Sequence, residues 1–261
     1  MAKVDVAPRP APVVCAELGW SDLRAALGAG WRDFLACPHY GLFFAAIYVI
    51  AGNLLTRALL EGGGGSWIFA AAAGFPLLAP FTAVGLYEAS RAREAGGKAG
   101  WWQVLGALRG QGDDQLLMMG GFLFVGFSFW MILAHGIFAI FMAESGIGTH
   151  SLGLFATPAG LAMLVVGGAV GAVVAYVFFA FTVASLPMLV DRELDFLTAT
   201  FASLRLVGQH KAVMLGWAVI IAVLLTLALL PWFLGLLVAL PVLGHATWHL
   251  YRRTISFAVQ A

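Results

Sequence analysis

Long apolar runs alternate with short polar connections along most of this sequence. About 20 consecutive apolar residues are needed to cross the hydrocarbon core of a bilayer as a helix. Runs that meet this length are predicted as spans over residues 41–60, 66–87, 116–143, 158–189, 212–230 and 232–250. The pattern therefore predicts an all-α fold, a polytopic membrane helix bundle with six transmembrane helices.

A short amphipathic segment precedes the first, third and fifth predicted spans. Apolar residues recur there every three or four positions opposite polar ones, which is typical of a helix lying in the headgroup region. Tryptophans favour that layer, although a helix that caps the bundle from the cytoplasm is the alternative. The segments are WSDLRAALGAGWRDFL, WWQVLGALRG and DFLTATFASLRLVGQHK, and the apolar face of the first comprises Leu23, Leu27, Trp31, Phe34 and Leu35.

An amphipathic helix followed by two spans therefore occurs three times. Two spans per unit keep every copy in the same orientation, so we expect three parallel repeats related by an axis along the membrane normal. The repeat units cover approximately 18–93, 94–195 and 196–253. Together they form a single membrane domain over 18–261, preceded by a flexible cytoplasmic tail over 1–17, which is rich in Pro, Ala and Val.

Composition and charge agree with this interpretation. The chain is 62% hydrophobic and 10% charged, and its net charge of +1 gives no basic field for nucleic acid. Of the 14 Lys and Arg residues, all but Arg57 fall at the same ends of the predicted spans. The positive-inside rule then places both termini in the cytoplasm, with membrane lipids as expected partners.

Polar groups recur where the returning spans end. Aligning Pro80, Pro187 and Pro241 places Glu88, Asp195 and His249 at one equivalent position, and Asp191 and His245 at another. If these five side chains converge, they suit a divalent metal or proton transfer. The simpler hypothesis is that these side chains provide hydrogen-bonding partners at the helix ends. Asp191 then pairs with Arg192 or another arginine, and His245 bonds to another helix. Trp248 and Tyr251 anchor the membrane interface. On this hypothesis, no metal and no catalytic residue is expected.

A second set of polar residues lies inside the spans. Asn53 and Arg57 share one face of the first span, and His135 lies in the third, so the three are candidates for a polar functional site. Arg57 either snorkels to the headgroups, pairs with Glu61 or Glu144, or contacts a substrate. His135 and His245 lie at different predicted depths, which disfavours a shared haem. We expect no cofactor.

The last span carries PVLGHATWHLYRR, with SLPMLVDR and ASLRLV earlier in the chain. These segments are similar to an uncharacterised family of proteobacterial integral membrane proteins. The family is catalogued as a domain of unknown function, and members are sometimes labelled cytochrome c oxidase subunit I-like. The resemblance extends from about Leu18 onward and implies a bacterial inner-membrane protein with six spans. An oxidase catalytic subunit has more spans and a haem and copper histidine set, which this chain lacks.

The sequence favours an integral inner-membrane protein without enzymatic activity. The leading hypothesis is a scaffold, assembly or membrane-organising factor that acts with a membrane-protein partner or as a homo-oligomer. One alternative is a transporter or channel for a small, weakly charged solute. Another is a respiratory-chain accessory protein with a metal site. No GxSxG, HExxH or P-loop motif occurs in a usable context.

Overall fold

The computed structural model describes residues 11–61, 82–107, 114–142 and 157–258. These residues form helices and one small sheet, so the predicted all-α bundle is confirmed in its main feature. The helices are α1 (Trp20–Ala36), α2 (Pro38–Glu61), α3 (82–94), α4 (Trp101–Gly106), α5 (Gln115–Met142), α6 (Pro158–Thr182), α7 (Ser185–Asp191), α8 (Phe196–Gln209), α9 (Lys211–Leu229) and α10 (Leu236–Thr254). The strands are β1 (Ala11–Val14) and β2 (Ile255–Ala258).

Four helical stretches are long and apolar enough to cross a membrane. They are Pro38–Arg57, Gln115–Phe141, Pro158–Asp191 and Lys211–Leu229, which correspond to the first, third, fourth and fifth predicted spans. Few side chains of α6 are buried within the bundle, and such an apolar outer surface suits contact with lipid tails. The chain is therefore a multi-pass membrane helix bundle.

The other two predicted spans stay predictions. Most of the second, over 66–87, lies outside the described residues, and only its last part is seen in α3. The sixth, over 232–250, corresponds to α10, which is long enough to cross a membrane but is not among the helices that are also apolar enough. Eleven of the 19 residues of α10 are buried. This helix lies at the centre of the described bundle, with α1 and α2 packed against it.

The contact between α1 and α10 depends on small residues. Leu23, Ala26, Gly30 and Phe34 are buried along one face of α1. A Cβ added to Gly30 would lie only 2.5 Å from the backbone nitrogen of Ala246 in α10. The backbones of the two helices are thus in direct contact, as small residues permit.

The other amphipathic helices also pack on a helix of the preceding predicted unit. In α4, Val104 is buried with Leu86 of α3. In α8, the Ser203 hydroxyl donates to the carbonyl oxygen of Ala180 at 2.8 Å and accepts from the Ala184 N–H at 3.2 Å. The Ala180 carbonyl lies near the end of α6, and the Ala184 N–H lies directly before α7. Each amphipathic helix therefore has one buried face and one outer face.

The two ends of the described chain lie side by side. Strand β1 pairs antiparallel with β2, and the Cys15 N–H donates to the Thr254 carbonyl oxygen at 2.9 Å. The side chain of His210 also reaches the Cys15 carbonyl oxygen at 3.0 Å. The prediction of a flexible tail over 1–17 is therefore wrong for residues 11–15, because backbone pairing holds them. Residues 1–10 lie outside the described residues.

Replacing Gly30 with alanine should destabilise the protein. The added Cβ would collide with the backbone of α10, and overpacking of this kind costs about 1–3 kcal/mol. Gly28→Ala is the matched control, because its Cβ would meet only the end of the Arg32 side chain at 3.6 Å. Thermal unfolding in detergent should give a lower Tm for Gly30→Ala and an equal or higher Tm for Gly28→Ala. Equal Tm values for the two variants would contradict the close helix contact.

Candidate functional site

Asp33 is a charged residue on the buried face of α1. It follows Gly30 by three positions, so both residues face α10. Its carboxylate accepts hydrogen bonds from Ser90 Oγ at 2.7 Å, His249 Nε2 at 2.9 Å and Arg93 Nε at 3.0 Å. Ser90 and Arg93 belong to α3, and His249 belongs to α10. One carboxylate thus joins three helices.

His245 extends this arrangement inward. The residue is fully buried, and its Nδ1 lies 2.7 Å from Ser90 Oγ. Since the Ser90 hydroxyl proton is donated to Asp33, Nδ1 must carry the proton of that second bond. The neutral ring then has a lone pair on Nε2, which has no hydrogen-bond partner among the described residues. The prediction that His245 bonds to another helix is confirmed.

We call Asp33, Ser90, Arg93, His245 and His249 the Asp33 cluster. Its hydrogen bonds form a continuous chain from His245 through Ser90 and Asp33 to His249. Burial by itself raises the pKa of Asp33, but hydrogen bonds from His249, Ser90 and Arg93 outweigh burial and hold that pKa well below its ordinary value. The carboxylate is therefore ionised at neutral pH and binds its donors strongly.

Asp191 forms a second junction beside the cluster. Its Oδ2 accepts from the Tyr251 hydroxyl at 2.7 Å and lies 3.4 Å from Arg252 Nη1 and 3.5 Å from Arg192 Nε. The predicted pairing of Asp191 with arginine is confirmed. Arg252 Nε also lies 3.1 Å from Glu94 Oε2, so α3, α7 and α10 are connected by charge.

Trp248 and Tyr251 do not anchor the membrane interface, and this prediction is wrong. Both side chains are essentially fully buried. The Trp248 indole N–H donates to Glu94 at 3.2 Å, and the Tyr251 hydroxyl donates to Asp191. Since each polar atom has a carboxylate partner, neither ring needs contact with water.

Two other predicted site residues, Glu88 and Asp195, bond to groups close to them in the sequence. Glu88 forms two hydrogen bonds with Arg91 on its own helix, at 2.7 and 2.8 Å. Asp195 caps α8 by accepting from the Thr198 N–H at 2.8 Å. Glu88, Asp195 and His249 are therefore engaged by different partners. Within the described ranges, no group of three or more His, Cys, Asp or Glu side chains is arranged to hold a metal ion.

Asn53 holds the turn between α9 and α10. Its side-chain amide donates to the carbonyl oxygens of Val49 at 2.8 Å and Trp232 at 3.1 Å. Trp232 has a φ of +54°, a strained value for a bulky side chain. Arg57 is exposed and has no ion pair within the part of the chain described, and His135 is exposed on α5. Asn53 and Arg57 lie on α2 and His135 lies on α5, and Glu144 lies outside the described residues.

Charges divide into two groups by location. The acids and arginines around Asp33 and Asp191 neutralise one another, with these two carboxylates largely buried and the arginines partly exposed. Most exposed cations without an ion pair among the described residues lie on or beside the amphipathic helices. These are Arg24, Arg32, Lys98, Arg205 and Lys211, whereas Arg57 lies in α2. Positive charge that is free to meet a partner is therefore concentrated on those helices.

Sequence reasoning missed Asp33 and Ser90. One signal for Asp33 was present, because an acid follows Ala26 and Gly30 on a stripe of small residues along α1. Small residues mark close helix contact, and an acid on such a stripe requires a partner. Ser90 gave no comparable signal, since a single serine near a helix end is common.

Comparison with known proteins supports the membrane assignment. Residues 68–191 match the model of a family described as predicted integral membrane protein (DUF2189). The matched region begins before α3 and extends to the end of α7. No curated protein and no solved structure matches the chain significantly. The class that fold and match define together is a multi-pass integral membrane protein.

Replacing Ser90 with alanine should destabilise the bundle by about 2–4 kcal/mol, because it leaves the buried Nδ1 of His245 unsatisfied and removes a donor from Asp33. Ser128→Ala is the control, since that hydroxyl bonds only to the Phe124 carbonyl oxygen of its own helix at 2.9 Å. Unfolding in detergent measures both. If Ser90→Ala were as stable as Ser128→Ala, the Asp33 cluster would not hold the helices together.

Proposed function

We propose that this chain is a non-enzymatic, membrane-organising protein of the bacterial inner membrane. On this proposal its three amphipathic helices lie in the headgroup layer of the cytoplasmic leaflet. The observation that carries it is the set of large apolar side chains on the outer faces of α1, α4 and α8. These side chains are Trp31 and Leu35, Trp102 and Leu105, and Leu197 and Phe201, all of which are exposed.

The outer faces have the composition that a headgroup layer favours. Trp102 is 89% exposed, which is unfavourable for an indole in water but suitable at the boundary between acyl chains and headgroups. Unpaired cations such as Arg32 and Arg205 stand beside these apolar residues. An amphipathic helix with basic flanks binds anionic membrane surfaces through burial of its apolar face and through electrostatic attraction.

The paired chain ends support the proposed topology of six spans. Because β1 and β2 are hydrogen-bonded, residues 11–14 and 255–258 lie on the same side of the membrane. The chain between them must then cross an even number of times. Six crossings satisfy this condition, and the positive-inside rule puts both ends in the cytoplasm.

Packing of the amphipathic helices supports the three parallel repeats. On the proposed scheme, α4 packs on the last helix of unit one, α8 on the last two helices of unit two, and α1 on the last helix of unit three. A cyclic order of this kind is what three equivalent units around one axis would produce. We propose that the units form one domain over 18–261, which acts as a scaffold for lipids, for a partner membrane protein or for further copies of itself.

Spin labels test whether the amphipathic helices lie in the headgroup layer. In a variant with Cys15 and Cys37 replaced, cysteines are introduced as Trp102→Cys and Phe201→Cys. Val219→Cys in α9 gives an acyl-chain reference, and Glu193→Cys gives an aqueous reference. In vesicles, accessibility to oxygen and to a polar relaxation agent should place Trp102→Cys and Phe201→Cys between the references. Labels as accessible as Glu193→Cys would mean that these helices cap the bundle in water.

A further inference from the structure

The buried ring of His245 has one nitrogen with a partner and one without. Its Nδ1 donates to Ser90 Oγ at 2.7 Å, because the Ser90 hydroxyl proton is donated to Asp33. Its Nε2 has no hydrogen-bond partner among the described residues, and the side chain is fully buried. The site therefore suits a neutral imidazole. A second proton on Nε2 would create a buried cation whose N–H lacks an acceptor, which is far more costly than an unpaired lone pair.

Tight packing on both sides of His245 restricts how the ring can respond. A Cβ added to the preceding residue, Gly244, would lie 2.7 Å from the side chain of Leu86 in α3. The following residue, Ala246, has its backbone nitrogen 2.5 Å from the Cβ position of Gly30 in α1. Since α10 touches both helices within one residue of the ring, a rearrangement of His245 requires these helices to move.

The charged and titratable side chains that face His245 are Asp33 of α1, Arg93 of α3 and His249 of α10. Hydrogen bonds from His249, Ser90 and Arg93 outweigh burial and hold the pKa of Asp33 well below its ordinary value, so this carboxylate stays ionised in mild acid. It is already bound by all three donors. If His245 and His249 were both protonated, one carboxylate would face three cations.

The remaining acids of the helices packed against α10 bond to other groups or lie at a helix end. In the part of the chain that the structure describes, α9 and β2 carry no acid, and Glu61 is exposed at the end of α2. The paired acids are Asp22 with Arg253, Glu88 with Arg91, Glu94 with Arg252 and Asp191 with Tyr251. Two neutral titratable groups nearby donate to backbone carbonyl oxygens, Cys37 to that of Asp33 and Tyr40 to that of Ala99.

We propose that His245 makes the junction of α1, α3 and α10 acid-sensitive, because uptake of one proton at Nε2 forces α10 away from the other two helices. An imidazole in water takes up this proton at about pH 6.5, whereas burial disfavours the charged form. The opened and unfolded forms therefore bind more protons than the closed form below about pH 6.5, so acid favours opening. Above that pH the junction stays closed. The proposal does not depend on where the amphipathic helices lie in the membrane.

Thermal unfolding of the full chain in detergent, from about pH 7.5 down to about pH 5, tests the proposal. The unfolding equilibrium constant of the wild type should rise by up to about tenfold per pH unit below about pH 6. His245→Asn should remove most of this rise, because its amide can donate to Ser90 but does not take up a proton. His249→Gln is the control, since it keeps His245 and a donor toward Asp33, and it should retain the rise. Equal pH dependence in the wild type and His245→Asn would overturn the proposal.

A distance measurement on the folded chain keeps the test decisive if His245→Asn does not fold. Spin labels are placed at Leu35→Cys in α1 and Val238→Cys in α10, two exposed positions, with Cys15 and Cys37 replaced. Between about pH 7.5 and about pH 5 the distance distribution should become longer and broader, and it should recover when the pH is restored. Helix content measured in the same samples checks that the chain stays folded. An unchanged distribution in acid would contradict the opening.

Discussion

A buried carboxylate must be fully hydrogen-bonded, and that requirement governs how this bundle is assembled. Asp33 meets it only when α1, α3 and α10 are in place together, because its donors lie on the last two helices. Removal of one partner from a buried charge costs several kcal/mol, in contrast to the small effect of an exposed pair. The same interface brings the backbones of α1 and α10 into contact at Gly30. Strand β2, which follows α10 directly, pairs with β1. The first and last parts of the chain are thereby joined.

The separation of paired and unpaired charge connects this architecture to function. The carboxylates of Asp33 and Asp191 meet partners on neighbouring helices, so these charges stabilise the arrangement and leave little to offer a ligand. Arg32 and Arg205, which have no ion pair among the described residues, lie on outer helix faces beside exposed aromatic and aliphatic side chains. Such a surface resembles a membrane-contacting helix more than a catalytic cleft. On the proposed function, the most informative chemistry of the protein is at its surface with lipid.

The sequence predicted the long apolar helices well, because a run of about 20 apolar residues has few other stable outcomes. It did not predict the central position of α10. His245, His249 and Arg252 read as the polar end of a span. Only the packing of α1 and α3 shows that His245 is buried against Ser90 and that His249 bonds to Asp33. Trp248 was misassigned for a related reason, since an aromatic residue near a helix end fits either an interface or a core. The spatial neighbour Glu94, 154 positions away, decides between them.

The central claim is that the units are parallel and that the ends of their amphipathic helices all face the cytoplasm. Reporter fusions placed after Lys98 and after Gln209 test it most directly, with activity compared between a reporter that works only in the cytoplasm and one that works only in the periplasm. The account predicts that both positions report the cytoplasm. Periplasmic activity at either position would contradict the parallel arrangement and the shared leaflet of the three helices.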